Sequence, residues 1–381
     1  MIKVTGENII TPLGSTSEET LHEILEGKTA LCLHKNIFGL PEPFYASLLN
    51  REKIDRDFEE KFGPQESLTF FERLAVLSAS DAIAHAGIEV SDDDVLIVVS
   101  STKGNVSLLE VDLNSRQAYL SESASSISRF LGNRNVPVVV SNACISGVCA
   151  QIYAIRELLS GRYRHAVIIG CDVLSKFIIS GFQSFKALSS DACRPYDADR
   201  CGLNLGEGAA TIILSAEGKE NDDSSWYFSG CSIHNDANHI SGPSRTGEGA
   251  YRVLSDLMRN VEKTDLAMIS GHGTATLYND EMESIAINRA DLGDIPLSGL
   301  KGFLGHTLGA AGIIETILCM KALDQGIVLP TKGFQKQGTS GFVNVSDKVR
   351  ETNKREFIKI LSGFGGCNAG IAYKKGFTDG I

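Results

Sequence analysis

Short apolar runs without polar alternation recur along the chain and predict strands that are covered on both faces. They lie at residues 95–99, 138–140 and 165–170, and residues 266–270 are predicted as a further strand. Most of these runs are rich in valine and isoleucine, which favour the pleated backbone of a strand. Apolar residues at helical spacing follow several of them, and strands that alternate with helices indicate a parallel sheet. The pattern therefore predicts an α/β protein.

The remaining elements follow from helical spacing and from stop signals. Ser17 is the predicted N-cap of a first helix that stops near Gly27, and residues 32–64 show no clear period, which predicts loops and short helices. Further elements are predicted as a helix at 67–86 that ends at Gly87, a strand at 211–214, a helix at 280–290, a strand at 295–298 and a helix at 309–323. The second half thus repeats the pattern of the first. The polar run 217–225 predicts the boundary between an N-terminal half, 1–220, and a C-terminal half, 221–381.

Composition narrows the class of protein. The chain has 381 residues, of which 43% are hydrophobic and 22% charged, as in an ordinary globular enzyme. Its formal net charge of -11 argues against nucleic acid as a partner, although a local basic patch would still permit an acidic protein partner. Nine cysteines lack the paired spacing of a zinc site, so we expect no metal. The odd cysteine count, with no signal peptide or membrane-length apolar run, predicts a cytoplasmic protein.

A cysteine stands where a predicted strand meets a predicted helix. Residues 136–140 end in Ser141 and Asn142, and Cys144 follows just before helical spacing begins at Ile145. A helix N-terminus favours the thiolate, so we expect a lowered pKa for Cys144. The free backbone N–H groups of a helix N-terminus are also donors for an oxyanion. The alternative is an inert buried cysteine, because free cysteine is among the most buried residue types.

Two later segments each place a histidine among glycines. His272 lies in the segment 269–276, and His306 lies in the segment 301–312. Glycine lets the backbone turn sharply or approach a ligand closely. A single histidine in a chain of this length is more often structural than catalytic. Two Gly-His segments together with one cysteine at a strand-to-helix turn indicate a catalytic group in which each histidine has a role.

These segments resemble a known signature. Residues 141–147, 271–274 and 301–312 are similar to the Cys-His-His motif of the β-ketoacyl-acyl-carrier-protein synthases, the elongating condensing enzymes. The segments 362–368, 194–197, 205–209, 4–6 and 11–14 are also similar to family stretches, in the same order. The resemblance extends from about the first residue to Tyr373. It implies a thiolase-like fold, a duplicated αβαβα five-layer sandwich, with Cys144 in the first half and both histidines in the second.

The resemblance also implies a reaction. Cys144 would take an acyl chain from an acyl carrier protein as a thioester. Malonyl carrier would then lose carbon dioxide, and the N–H groups of His272 and His306 would stabilise the resulting enolate. The enolate would attack the acyl group, and the backbone N–H groups of Cys144 and Phe364 would bind the tetrahedral oxyanion. The product is a β-ketoacyl carrier, and no metal or organic cofactor is required. The implied assembly is a homodimer or a heterodimer with a related synthase.

Further residues match supporting positions of the family. Lys301 and Glu315 would form a salt bridge that orients His306, and the alternative is an unrelated surface pair. Asp280 lies where the family also has an acid, and a helix N-cap is an equal alternative. Phe364, between Gly363 and Gly365, resembles a movable gate over the acyl channel, whereas a core phenylalanine is the alternative.

The chain departs from the family at several positions. Ser362 stands in place of a second phenylalanine, and Cys367 in place of a threonine. The basic carrier-docking stretch is replaced near Glu66, although Lys186 keeps the positive charge of a second docking position. Arg129 and Arg134 are further docking candidates, and solvated surface charge is the favoured interpretation of both. The segment 103–136 is shorter than in housekeeping enzymes, which favours a specialised pathway, such as a polyene pigment or a polyketide-like product.

Two other classes of protein remain open at this point. One is a non-catalytic partner subunit, like the chain-length factors that pair with an active synthase. Such subunits commonly replace the cysteine with glutamine, so Cys144 favours an enzyme. The other is a degradative thiolase acting on coenzyme A thioesters. Thiolases use a second cysteine in place of one histidine, so His306 argues against that class.

Overall fold

The computed structural model describes residues 1–216, 222–236, 238–239 and 242–376. The strands are β1 (Ile2–Ile10), β2 (Cys32–His34), β3 (Phe44–Ser47), β4 (Val95–Ser100), β5 (Val138–Val140), β6 (His165–Asp172), β7 (Leu205–Gly206), β8 (Gly208–Ala216), β9 (Trp226–Asn235), β10 (Leu266–Ser270), β11 (Pro296–Ser298), β12 (Ile327–Val328), β13 (Asn344–Val345), β14 (Arg350–Glu351), β15 (Glu356–Gly363) and β16 (Cys367–Lys375). The α-helices are α1 (Ser17–Leu25), α2 (Arg51–Phe62), α3 (Phe70–Ala86), α4 (Leu120–Phe130), α5 (Ser146–Leu159), α6 (Lys176–Ser184), α7 (Glu248–Leu257), α8 (Leu277–Arg289), α9 (Lys301–Leu304) and α10 (Ala311–Asp324). Short 3-10 helices lie at Val106–Glu110, Arg116–Ala118 and Leu308–Ala310.

The main sheet contains the same strand arrangement twice. Its order is β13-β11-β10-β15-β16-β9-β1-β8-β6-β4-β5. Outward from β1, the strands β8, β6, β4 and β5 follow through two antiparallel and then two parallel pairings. Outward from β9, the strands β16, β15, β10 and β11 follow with the same sequence of directions. The two arrangements meet where Lys3 of β1 pairs with Tyr227 of β9. The repeated order confirms a duplicated fold.

Apolar clusters join these strands to helices in five layers. Helices α3 and α4 pack against β1, β8, β6, β4 and β5 on one side of the molecule. Helices α7 and α8 form a cluster with the strands of the second repeat on the other side. Between the two repeats, α5 and α10 share one apolar cluster with strands from both. This layering confirms the predicted αβαβα sandwich.

The central helix α10 explains why this layer forms. Its residues from Ala311 to Met320 are all buried, so the helix is covered around its whole circumference. A mostly apolar helix that is covered on every side lies inside a protein, between two packed faces. Within the described residues, no helix is both long and apolar enough to cross a membrane.

Most predicted elements are present. The strands predicted at 95–99, 165–170, 211–214, 266–270 and 295–298 correspond to β4, β6, β8, β10 and β11. The helices predicted at 67–86, 280–290 and 309–323 correspond to α3, α8 and α10, with starts that differ by two or three residues. Gly87 ends α3 in a left-handed conformation with φ 63°, as expected. The division at 220/221 stays a prediction, and residues 217–221 of the predicted boundary lie outside the described residues.

Three local predictions are wrong. The N-cap of α1 is Thr16, whose side chain accepts from Glu19 N, and Ser17 is already helical. The stretch 32–64, predicted as loops and short helices, does contain the helix α2, which buries only Ile54 and Phe58, but it also contains the strands β2 and β3, which were not predicted. The strand β5 is not covered on both faces. It is the edge of the sheet, and all three of its valines are half-buried.

Candidate active site

Cys144 lies in a tight turn between β5 and α5. Ala143 adopts φ 44°, in the left-handed region that non-glycine residues rarely occupy. The hydroxyl of Ser146 holds this turn, because it accepts from Asn142 N at 2.7 Å and donates to Ala143 O at 2.6 Å. Helix α5 begins at Ser146, so Cys144 stands two residues before its first turn. The predicted strand-to-helix turn is confirmed.

The thiol itself is buried, and burial decides its protonation. Burial raises the pKa of Cys144 to about 12, against the opposing effects of the Lys301 charge and of the Phe364 main chain, which hydrogen-bonds the sulfur. The expected lowering of this pKa by the helix N-terminus is therefore wrong for the resting site. A buried thiol is neutral unless a cation or a donor outweighs its desolvation.

His272 follows the end of β10 and is held by a carboxylate. Glu283 on α8 accepts hydrogen bonds from the backbone N–H groups of His272 and Gly273, the latter at 2.9 Å. Tyr196 donates its hydroxyl to the same carboxylate at 2.8 Å. Gly271 has no room for a side chain, because a β-carbon there would lie 2.0 Å from the Tyr196 hydroxyl. The glycine before His272 is therefore required by close packing.

His306 is fixed by the backbone of a neighbouring strand. Its N–H donates to Asn204 O at 2.7 Å, and its carbonyl accepts from Gly206 N at 3.0 Å. Gly305 precedes it with φ 68°, which suits glycine, and ends α9. The ring nitrogen Nδ1 accepts from Leu308 N at 3.2 Å, so the proton of the neutral ring is on Nε2. His306 thus presents a fixed N–H donor.

The fold brings the three predicted residues together. One ring nitrogen of His272, one of His306 and Cys144 Sγ all lie within 4.8 Å of one another. The two imidazole rings have centroids 5.2 Å apart and are nearly perpendicular, at 82°. Among the described residues, nothing hydrogen-bonds His272 Nδ1 or His306 Nε2, although both atoms are buried. An unpaired buried donor or acceptor is costly unless a ligand completes it.

Both imidazoles are neutral. Burial, followed by the positive charge of Lys301, lowers the pKa of His272 and of His306 well below 6.5. Lys359 contributes in the same direction at both rings. A neutral imidazole donates one N–H without carrying a charge of its own, so the pair suits a ligand that develops negative charge.

The predicted salt bridge of Lys301 with Glu315 forms inside the protein. Lys301 Nζ lies 2.7 Å from Glu315 Oε1, and both side chains are buried, so a surface pair is wrong. Lys359 contacts the other carboxylate oxygen of Glu315.

Asp280 is not an N-cap, because Thr276 caps α8. It is instead buried and accepts from Tyr196 N at 2.7 Å and Ala275 N at 3.1 Å.

A cavity of about 470 Å³ opens onto the three residues. Its volume is that of an ordinary small-molecule site. Phe364 lines the cavity, is 39% exposed and is therefore not a core residue. Its ring lies 5.9 Å from the ring of Phe182 and 5.7 Å from that of Phe185. Gly365 and Gly366 follow it with φ values of 89° and 76°.

The cysteine and the two histidines could also be considered as metal ligands. Zinc is held by cysteine and histidine at about 2.0–2.3 Å, and its thiolate must be deprotonated. The buried ammonium groups of Lys301 and Lys359 lower the pKa of both imidazoles. The same positive charge opposes a dication at this site, so the donor set does not favour a metal.

Comparison with known proteins gives the family. The model of the β-ketoacyl synthase N-terminal domain matches residues 1–220, and that of the C-terminal domain matches residues 227–335. The chain belongs to the β-ketoacyl synthase family. It is a condensing enzyme of the acyltransferase class.

Individual relatives align over nearly the whole synthase. It is 28% identical to Nodulation protein E of Rhizobium meliloti, over 98% of this chain and 99% of that protein. It is 26% identical to 3-oxoacyl-[acyl-carrier-protein] synthase 2 of Vibrio harveyi, over 98% of both chains. Among solved structures, the ishigamide ketosynthase/chain length factor matches with a TM-score of 0.85 and 25% identity, over 98% of both chains.

The candidate docking residues of the synthase are exposed. Lys186 lies at the mouth of the cavity, whereas Arg129 and Arg134 lie at and beyond the end of α4. Glu66 is also exposed, before α3. Where the carrier protein docks stays a prediction.

Two supporting residues of the synthase were missed by sequence reasoning. Lys359 is a lysine inside an otherwise apolar run, 357–361, and such an interruption signals a buried charge with a partner. Glu283 follows Asp280 by three residues, which places both acids on one face of α8. Both features are visible in the sequence, but only the fold shows that Lys359 and Glu283 contact the main chain around His272.

Proposed function

We propose that Cys144, His272 and His306 are the catalytic residues of this synthase, and that acyl carrier protein delivers both substrates. In the overall reaction, an acyl carrier and a malonyl carrier give a β-ketoacyl carrier, carbon dioxide and a free carrier thiol, with uptake of one proton. The observation that carries the proposal is the convergence of the thiol and two neutral imidazoles within 4.8 Å at a cavity.

In the first half-reaction, Cys144 Sγ attacks the thioester carbonyl of the acyl carrier. A bond forms between Sγ and the acyl carbon, the bond to the carrier sulfur breaks, and the thiol proton ends on the departing carrier thiol. The main chain of Phe364 and the N–H of Cys144 supply hydrogen-bond donors for the oxyanion of this step. The acyl chain is then held as a thioester on Cys144.

In the second half-reaction, malonyl carrier enters the same cavity and loses carbon dioxide. The electron pair of the broken carbon–carbon bond becomes an enolate at the thioester carbonyl. We infer that His306 Nε2–H and an N–H of His272 hydrogen-bond its oxygen. Both rings are neutral and line the cavity, which supports this role. The enolate carbon then attacks the acyl carbon on Cys144, and the thiolate leaves and is reprotonated.

Intact-protein mass spectrometry tests the nucleophile. The protein is mixed with acyl carriers of several lengths, and wild type is compared with Cys144→Ala. We expect an acyl adduct on wild type and none on the variant. Cys201→Ser is the matched control, because Cys201 is an exposed thiol in the same cavity and its loss should leave the adduct intact.

The outcomes separate the two candidate functions. An adduct that depends on Cys144 supports the synthase and reports the preferred acyl length. No adduct from any carrier would contradict the nucleophile assignment and would favour a non-catalytic partner subunit. An adduct that survives in Cys144→Ala but disappears in Cys201→Ser would show that Cys201 is acylated, and it would contradict the assignment of Cys144 as the nucleophile.

We also propose that the strand β5 is covered by a second subunit, either another copy or a related synthase. An edge strand presents unpaired backbone groups to a partner. Val136 is 85% exposed beside it. Light scattering should give the mass of a dimer, and Val136→Lys should shift the equilibrium towards monomer. A wild-type monomer would contradict a homodimer and favour a heteromeric partner.

We retain the cytoplasm as the predicted location.

A further inference from the structure

Lys359 is a charged residue in the middle of a buried strand. It lies on β15, where its partner across the parallel pairing is Ser270, the last residue of β10. Its neighbours Ile358 and Ile360 are buried, and Lys359 itself has 0% of its surface exposed. Removing an ammonium group from water costs several kcal/mol unless partners replace the water. A lysine here therefore needs a specific set of acceptors.

The fold provides three acceptors for the three N–H groups of this ammonium. Lys359 Nζ donates to Gly271 O at 2.8 Å, to Ser270 Oγ at 3.3 Å and to the Oε2 atom of Glu315. Gly271 immediately precedes His272 in the chain. The ammonium therefore holds the main chain at the point where the first histidine leaves the sheet.

Glu315 joins this lysine to the second histidine segment. Its other oxygen accepts from Lys301 Nζ at 2.7 Å, and Lys301 begins the short helix α9 that leads to His306. Burial alone would raise the pKa of Glu315, but the two lysines hold this pKa below its usual value. The Lys301–Glu315–Lys359 triad thus contains two positive charges and one negative charge, all buried.

We propose that Lys359 is a positioning residue for the two histidines: it anchors the chain before His272 and supplies the second cation of a triad with one uncompensated positive charge. The inference rests on the proposed function and deepens it. The excess charge lies beside the enolate site, where it favours negative charge on the ligand and opposes protonation of the imidazoles. Lys301 with Glu315 alone would be electrically neutral.

Other charged and titratable groups near the histidines do not supply this charge. Those that face the pair are Cys144, Lys301, Lys359, Glu315, Glu283 and Tyr196. Glu283 binds the backbone of His272 and adds negative charge. The thiol and the phenol are buried and neutral. Removing either lysine would bring the triad to zero net charge, and Lys359 is the one that also anchors Gly271 O before His272.

The test follows histidine titration and the two half-reactions separately. NMR with ring-labelled histidine measures the pKa values of His272 and His306 in wild type, Lys359→Met and Lys359→Gln. Both variants remove the charge, and glutamine keeps a donor for Gly271 O. We expect both to raise the two imidazole pKa values. Decarboxylation of malonyl carrier should fall at least about tenfold, while acyl transfer to Cys144 stays near wild type.

Two further variants serve as controls. Lys359→Met/Glu315→Gln restores one net positive charge, and we expect its imidazole pKa values to return towards those of wild type. Lys321 lies on the same helix as Glu315 and pairs with Glu7 and Glu18. Lys321→Met should therefore change neither the imidazole pKa values nor the rate of decarboxylation. Unchanged imidazole pKa values in both single variants would overturn the proposal, as would an equal loss of both half-reactions. A wild-type protein that accepts no acyl chain would contradict the proposed function instead, because the titration needs no activity.

Discussion

Gly147 on α5 and Gly312 on α10 face each other in the helical layer between the two repeats. A β-carbon built on Gly147 would lie 3.0 Å from Gly312 Cα and 2.9 Å from Gly309 O. The two helices therefore approach as closely as their backbones allow. This contact brings the turn of Cys144 beside the segment that carries His306, so the packing of two glycines helps to assemble the site.

We predict that Gly147→Ala separates these helices. The added methyl group meets backbone atoms that have no room to move, and overpacking of this kind costs about 1–3 kcal/mol. Urea denaturation should show the loss, and acyl transfer to Cys144 should slow. Gly181→Ala is the control, because this glycine on α6 has open space around it, and alanine favours helix by up to about 1 kcal/mol. Equal stability of Gly147→Ala and wild type would contradict the close packing.

A second prediction concerns pH. Burial holds the pKa of His272 and of His306 well below 6.5 in the folded protein. Below pH 6.5 the unfolded chain binds protons that the folded chain does not, so the free energy of unfolding falls as the pH decreases towards the folded-state pKa values. We expect His272→Asn/His306→Asn to reduce this slope by up to about 1.4 kcal/mol per pH unit for each histidine. Urea denaturation from about pH 7 to pH 5 measures it.

The control for this prediction is His22→Asn, which changes an exposed histidine on α1 and should leave the slope as in wild type. The same slope in wild type and in His272→Asn/His306→Asn would show that the two buried rings take up protons as readily as those of the unfolded chain. That result would contradict the neutral pair of imidazoles on which the proposed enolate site depends.

What the sequence predicted well was determined locally. Runs such as 95–99 and 165–170 form strands because uninterrupted apolar residues demand burial on both faces, and β4 and β6 lie inside the sheet. The same reasoning failed at Val138–Val140, because a place at the edge of a sheet depends on strands far away in the chain. Glycine-framed cysteine and histidine segments indicated the site, since few structural roles need that combination.

The electrostatics of the site were not predictable in the same way. The position of Cys144 before a helix suggests a low pKa, yet burial raises it to about 12. Lys359 is 44 residues from Glu315 in sequence and reaches it only because β15 packs against α10, which carries Glu315. Depth of burial and distant partners arise from the packing of layers, which a linear pattern of residues does not contain.

A third prediction concerns the turn of the cysteine. Ser146→Ala removes the hydroxyl that bonds Asn142 N and Ala143 O, and with it the contacts that hold Ala143 in its left-handed conformation. Such backbone conformations cost about 1–3 kcal/mol and persist only when their surroundings enforce them. We expect acylation of Cys144 to slow about tenfold, measured by mass spectrometry over time. Ser160→Ala, at the other end of α5, removes an exposed hydroxyl and should acylate like wild type. An unchanged rate in Ser146→Ala would show that the turn holds without it.

The last prediction concerns Phe364 as a cover of the site. Its ring contacts Phe182 and Phe185 at the cavity that contains Cys144, whereas its backbone faces the sulfur. Phe364→Ala keeps the backbone donor and removes the ring, so water gains access to the acyl thioester. We expect the acyl adduct to form but to hydrolyse several-fold faster, followed by mass spectrometry after excess carrier is removed. Phe177→Ala is the control, because this ring on α6 is already 57% exposed. An adduct equally long-lived in Phe364→Ala and wild type would show that the ring does not exclude water. Loss of the adduct altogether would instead show that the ring binds the acyl chain. The lifetime and the formation of the adduct therefore distinguish a ring that excludes water from one that binds the acyl chain.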